Sequence, residues 1–371
     1  MTRDLRAVED AAIEDIARGW YRGVQLFVAV DGECVLECAH GVDGTDRPIG
    51  SDSLHVIYCA SKPLLAVGMA VAVEAGLLRL DDTVGMAVPG LASAAFANVT
   101  LRQVLNHSAG LIDPSAEHAM VTPADRRPEL VATARLNPAW ILGEHAAYSE
   151  YAGWQVLRWA LEHATGTRAS TFVRDQVLAP LGIADGISLE FGSDDYRAAR
   201  DRIAVQCRMD GERVVPLLLE RTARAATEPY SAMGAWATTA ALGRFYVGVS
   251  HVLAGRASDL AVSGATLREW VRPSRPVAFD PALGRECTFG LGFMVDLRRH
   301  DFGGCCSEES FGHSGRVGAT FAFSDPAAGL VVACTWNGNR GGDAEVTVRR
   351  PLTVAAVYAA AIGDRAHAIP A

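Results

Sequence analysis

The chain has 371 residues, half of them hydrophobic and 21% charged, enough for one large domain or two interleaved ones around a substantial core. A formal net charge of −9 and the absence of any Lys/Arg cluster argue against nucleic acid or an anionic membrane surface as the main partner. Eight cysteines without a C-x-x-C spacing suggest neither a zinc site nor a disulfide scaffold, and the adjacent Cys305 and Cys306 are expected to be free because a vicinal disulfide is strained.

In chain order, the opening MTRDLRAVEDAAIEDIARGW has acidic residues where a signal peptide would have its apolar core. No later apolar run reaches membrane-spanning length, so a cytoplasmic protein is expected. Leu5, Val8, Ala12 and Ile16 recur at helical spacing among charges and predict an amphipathic helix. VQLFVAV and CVLECAHG flank the turn Asp31-Gly32-Glu33 and predict a β-hairpin. In HVIYCASKPLLAVGMAVAVEAG, 55–76, the run after Pro63 has hardly any polar face, which describes a helix buried on all sides. Pro63 belongs in its first turn, and Gly76 ends it.

From Leu77 to about 231, strand-like alternation is scarce and helical patches at 101–105, 152–163 and 169–177 alternate with loops. The stretches 113–135 and 194–202 keep no periodic apolar face and are expected to be loops or lids. Beyond them, 238–251 predicts a helix and 289–295, 316–323 and 330–336 are β-rich, with a turn starting at Ser324-Asp325-Pro326. LTVAAVYAAAIG puts Leu352, Ala355, Ala359 and Ile362 on one helical side. The expected organisation is α+β. Residues 1–76 and 232–371 form one α/β subdomain, residues 77–231 a mostly helical one with loops lining a cleft, and the whole is a single unit.

Residues 59–62 stand at the mouth of the buried helix. Positions i and i+3 lie roughly 60° apart around a helix axis, so Cys59 and Lys62 can face one cleft while Ser61 and Lys62 cannot easily. A thiol at a helix N-terminus beside an ammonium is in a setting that favours thiolate. The same spacing suits a small buried cysteine next to a lysine that reaches solvent.

The stretch VIYCASKPLLAVGMAVAVEAGLLRLDDTV resembles the active-site segment of class C β-lactamases, family VIII esterases and related penicillin-binding-protein-like acyltransferases. Three more stretches follow in that family's order: VTLRQVLNHSAGL at 99–111, AAYSEYAGWQVL at 146–157 with APLGI after it, and FGHSGRVGATFAFSDP at 311–326. The resemblance implies a β-lactamase/transpeptidase-like fold, an antiparallel sheet flanked by N- and C-terminal helices plus a mostly helical subdomain. In the family's S-x-x-K the serine is acylated; here the word is Cys59-Ala60-Ser61-Lys62. The tyrosine of Y-x-N, implied as general base or proton shuttle, matches Tyr148 in Tyr148-Ser149-Glu150. Its phenol, ordinarily near ~10, is expected to be lowered by the Lys62 ammonium. The K-T-G or H-x-G motif matches His313-Ser314-Gly315, implied substrate contacts on a strand whose glycine lets backbone come close. The backbone N–H groups of Cys59 and Arg316 are implied as the oxyanion hole, and His107 as a support behind the site.

Two positions depart from the family pattern. Cys59 stands where the family has serine, so either the thiol is the nucleophile or the site is crippled. The retention of Lys62 and Tyr148 favours activity, and a thiol needs less help from a base than a hydroxyl. Glu150 replaces the family's Asn, either pairing with Lys62 and shaping the substrate site or pointing to solvent from a helix start.

The function expected from these residues is transacylation. Cys59 takes an acyl group from an ester or thioester donor, Tyr148 and Lys62 move protons, and an amine or alcohol accepts the group, as in natural-product tailoring. The alternatives are an ester or amide hydrolase using the same residues and a non-catalytic ligand-binding homologue. β-Lactam turnover is disfavoured by the lack of a signal peptide. A small-molecule donor and acceptor are the expected partners, with no cofactor, no metal, no nucleic acid and no membrane.

Overall fold

Strands β1 (Gly23–Val30) and β2 (Glu33–Gly41) form the predicted hairpin, with Asp31 at φ 55° and Gly32 at φ 92° making its turn. The computed structural model describes residues 5–114, 122–211, 213–228, 234–315, 319–340 and 345–363. The later strands β3 (Met294–Val295), β4 (Phe311–Gly315), β5 (Thr320–Asp325) and β6 (Leu330–Asn337) complete a six-stranded sheet in the order β3-β4-β5-β6-β1-β2, antiparallel throughout. The main helices are α1 (Arg6–Ala17), α2 (Lys62–Glu74), α3 (Ala152–Thr165), α4 (Thr239–Leu253) and α5 (Arg350–Ile362).

Both faces of β1 are covered, which is why its sequence reads as an almost unbroken apolar run. Val24, Leu26, Val28 and Val30 pack with Val8 and Ala12 of α1 and with Val354, Val357 and Tyr358 of α5. Phe27 and Ala29 on the other face join Leu242, Phe245 and Val249 of α4. The α+β, β-lactamase/transpeptidase-like arrangement is thus present, with a terminal helix from each end of the chain on one side of the sheet.

Helix α2 is buried from Lys62 through Ala72, as its composition predicts. It packs against α3 and the helices Ala169–Val173 and Gly264–Trp270. It ends at Gly76, φ 71°, where Leu77 N–H returns to the Ala72 carbonyl at 2.9 Å.

Several expectations need correction. On α5 the buried side is Val354, Val357, Tyr358, Ala361 and Ile362, whereas Leu352 is 64% exposed. Both stripes have helical spacing, and the one carrying the aromatic and β-branched bulk wins the core. The stretch 194–202 contains a helix, Ser193–Ala199, too short to display a period and buried only at Ala199. Within 113–135 the described part holds the helix Arg127–Ala132, and Ile112 pairs with Arg135. Of 289–295 only Met294–Val295 is a sheet strand. Gly292, at φ 81°, turns the chain so tightly that a Cβ there would meet Ala66 Cβ at 2.5 Å. All eight cysteines are free, Cys305 exposed and Cys306 buried. Among the described residues no helix is long and apolar enough to cross a membrane.

Candidate active site

The strand His55–Val56 pairs with Trp236–Ala237, and Ile57 N–H continues the pairing to the Ala235 carbonyl at 2.9 Å. The chain then turns sharply: Tyr58, a bulky residue, adopts φ 47° and begins the 3-10 turn Tyr58–Ser61 that feeds α2. A left-handed conformation at such a residue is costly and is held only where the surroundings fix it. Within this turn Ser61 is buried and its hydroxyl donates to the Tyr58 carbonyl at 2.7 Å, while Cys59 stays partly exposed. Of the two candidate nucleophiles, the thiol is the one that faces outward.

Strand β4 runs beside this turn, and Gly315 is what allows it to. A Cβ on Gly315 would lie 2.3 Å from the Ile57 carbonyl oxygen, which already accepts the Ala60 N–H at 3.1 Å. Gly315→Ala is therefore expected to lower unfolding free energy by about 1–3 kcal/mol, read from the urea midpoint. Because the displaced backbone carries Cys59, reactivity of the thiol is expected to fall as well.

Lys62 is wholly buried, and its Nζ donates to the main-chain carbonyl of Glu150 at 2.9 Å. The ammonium also lies 5.1 Å from the Tyr148 ring centroid and 5.4 Å from that of Trp154, over faces that attract a cation. The Glu150 side chain is exposed, so the lysine is met by the Glu150 peptide oxygen and not by its carboxylate.

Tyr148 is partly buried, and its phenol lies close enough to Cys59 for the two groups to influence each other. The phenol is held well above its ordinary range, first by burial, with the neighbouring Cys59, Glu150 and Asp113 adding to it. The net direction is the opposite of the lowering expected from Lys62, because burial is the largest influence on the phenol. A phenol held above its ordinary range is protonated near neutrality.

His107 and His313 are both fully buried neutral rings, pushed well below the usual histidine range by burial, with the nearby Lys62 charge adding to it. His107 Nδ1 accepts the Ser149 N–H at 3.1 Å, which leaves the proton on Nε2. Its ring packs 4.6 Å from Tyr148 and 4.7 Å from Phe289, the supporting place expected of it. His313 Nδ1 faces the Ser314 carbonyl at 2.8 Å and must donate, so its Nε2 is an acceptor with no partner among the described residues. Its ring lies 6.2 Å from that of Tyr148. Ser314 is partly exposed beside Met294, and Arg316 lies outside the described residues.

Asp113 belongs to the same place and escaped the sequence. Its carboxylate accepts Ser149 Oγ at 3.0 Å, Glu150 N–H at 2.7 Å and Tyr151 N–H at 3.2 Å, so it grips the turn that carries Tyr148. Nothing in the pattern Gly110-Leu111-Ile112-Asp113 signals this, since the partners are some 36 residues further on.

Cys59, Lys62, Tyr148, His313 and Gly315 thus meet where α2, the Tyr148 turn and β4 converge. A family model described as Beta-lactamase matches residues 8–356. The chain belongs to that family. Hydrolysis or acyl transfer is the reaction class that membership supports. Over 144 residues the chain is 27% identical to Penicillin-binding protein 4* of Bacillus subtilis (strain 168), a match covering 37% of this chain and 31% of that protein. The match thus spans under a third of that relative's length. A penicillin-binding protein homologue from Caulobacter crescentus superposes with a TM-score of 0.76 at 23% identity, over 97% of this chain and 98% of that one. A family VIII carboxylesterase gives 0.76 at 21% identity, over 96% and 97% of the two chains. EstCE1, a hydrolase with promiscuous acyltransferase activity, gives 0.75 at 19% identity, over 95% and 98%. At these identities the likeness is one of fold.

Proposed function

We propose that this family member is an acyltransferase that carries its acyl group as a thioester on Cys59. The observation that supports the reading is the partly exposed Cys59 thiol at the mouth of α2, while the Ser61 hydroxyl is tied to the backbone. In the proposed cycle the Cys59 thiolate adds to the carbonyl carbon of an ester or thioester donor. The Cys59 N–H receives the oxyanion. As the donor's C–O or C–S bond breaks, Tyr148 gives its proton to the leaving group, and the Lys62 ammonium offsets the phenolate that forms. That phenolate takes the proton of an incoming amine or alcohol as it attacks the thioester, which returns both thiolate and phenol. Thioesters favour amines over water more strongly than oxygen esters do, which leans the cycle toward transfer and fits a role in tailoring natural products.

Water in place of the acceptor makes the same residues a hydrolase. The likeness to a carboxylesterase and to a hydrolase with acyltransferase activity supports this second reading. Intact-mass spectrometry with p-nitrophenyl acyl esters is expected to show one acyl adduct that Cys59→Ala lacks. An adduct that persists in Cys59→Ala overturns the assignment. Products formed with and without an added amine then decide between amide, for transfer, and free acid alone, for hydrolysis.

A further inference from the structure

We propose that Asp113 is a positioning residue for this chemistry, clamping the turn 149–151 so that Tyr148 stays beside Cys59 and the Glu150 carbonyl on Lys62. The inference rests on the proposed role of Cys59 and adds a residue that no family motif supplies.

One carboxylate collects three successive groups of a single turn: the Ser149 hydroxyl, the Glu150 N–H and the Tyr151 N–H. Hydrogen bonds to an ionised acceptor are roughly twice as strong as neutral ones, and three converging on one group leave the turn little freedom. The Glu150 peptide is held from both ends, its N–H on Asp113 at 2.7 Å and its carbonyl on Lys62 at 2.9 Å. Its dipole therefore runs from the anion to the buried cation, and the two charges stabilise each other through it. The Lys62 charge is felt at Asp113, where it opposes the upward push of burial on the carboxyl. Glu150, whose carboxylate is exposed, does not do this work at the position where the family has its Asn.

Other contacts fix the turn from behind. Ser149 N–H binds His107 Nδ1, Ser149 Oγ accepts the Gly153 N–H at 3.1 Å, and Tyr148 N–H reaches Asp280 at 3.2 Å. Loss of Asp113 is thus expected to loosen the turn without releasing it. A carboxylate that only supported the start of α3 would leave the thiol's reactivity alone.

Alkylation of Cys59 by iodoacetamide tests this without a known substrate. Because Cys34 and Cys305 are also exposed, the rate is read by site-resolved mass spectrometry on the full chain between pH 6 and 9. Asp113→Ala is expected to slow Cys59 alkylation at pH 7 about tenfold, the worth of one hydrogen bond to a charged group, and to move the pH profile upward. Asp113→Asn keeps one acceptor and is expected to fall between, and it replaces Asp113→Ala if that variant does not fold. In a Tyr148→Phe background the same change is expected to cost less than about twofold, since its effect passes through the phenol. An unchanged or faster rate, or an equal slowing in Tyr148→Phe, overturns the inference. Absence of an ester-derived adduct alongside intact alkylation coupling would instead count against the acyl-transfer reading and spare this one.

Discussion

Replacing Cys59 by serine, the residue the family carries at this position, is expected to slow acylation about 10³-fold, within the range attributed to general base catalysis. A serine hydroxyl must lose its proton as it attacks, and each neighbour that could take it is already committed. The Tyr148 phenol is protonated and held high by burial and by the charges around it. Lys62 donates to the Glu150 carbonyl. His107 has its proton on Nε2 because Nδ1 accepts from Ser149, and His313, with a lone pair available on Nε2, is pushed well below the usual range and is a weak base. A thiol escapes the requirement, being partly ionised near neutrality and intrinsically more nucleophilic. The measurement is the single-turnover release of p-nitrophenol by Cys59→Ser against the parent chain. A serine variant that keeps its rate would mean that Tyr148 serves as a base after all, and the protonated-phenol account of the site would fall.

Sequence is informative about this site as far as local chain geometry reaches. The spacing of Cys59, Lys62 and Pro63 places the thiol and the ammonium together because an α-helix start is a local object, and the structure keeps both at the mouth of α2. The hairpin β1–β2 is equally local. The state of Tyr148 is not: the sequence brings Lys62 near a tyrosine, but how deeply the phenol is buried is set by the packing of distant segments, and burial is the largest influence on it. Asp113 is invisible for the same reason, since its grip on Ser149, Glu150 and Tyr151 exists only once two distant segments are brought together. On α5 two stripes share one period, and only the sheet opposite decides that Val357 and Tyr358, not Ala355 and Ala359, face inward.

Between pH 7 and pH 5 the fold is expected to lose stability steeply because it buries histidines as neutral rings. His55 is wholly buried, neither ring nitrogen has a hydrogen-bond partner among the described residues, and burial pushes it down from 6.5 to about 4. His300, which donates from Nε2 to the Thr288 carbonyl at 2.8 Å, is pushed to about 3, and His107 and His313 are pushed well below 6.5. Below 6.5 the unfolded chain binds protons that these folded positions refuse, so the stability they contribute is complete above that pH and is lost as pH falls toward the folded values. The slope is on the order of 1 kcal/mol per pH unit for each such histidine. Among the carboxylates, Asp43, lowered to about 2 by its hydrogen bonds, gives up its contribution only in stronger acid. Asp15 and Asp113, raised by burial, act with the opposite sign because the folded chain takes up their protons first. Urea midpoints at pH 7.5, 6.5 and 5.5 give the slope. His55→Gln is expected to be less stable at neutral pH yet flatter by about one histidine's share. An identical slope in parent and variant would show that His55 does not enter the acid transition.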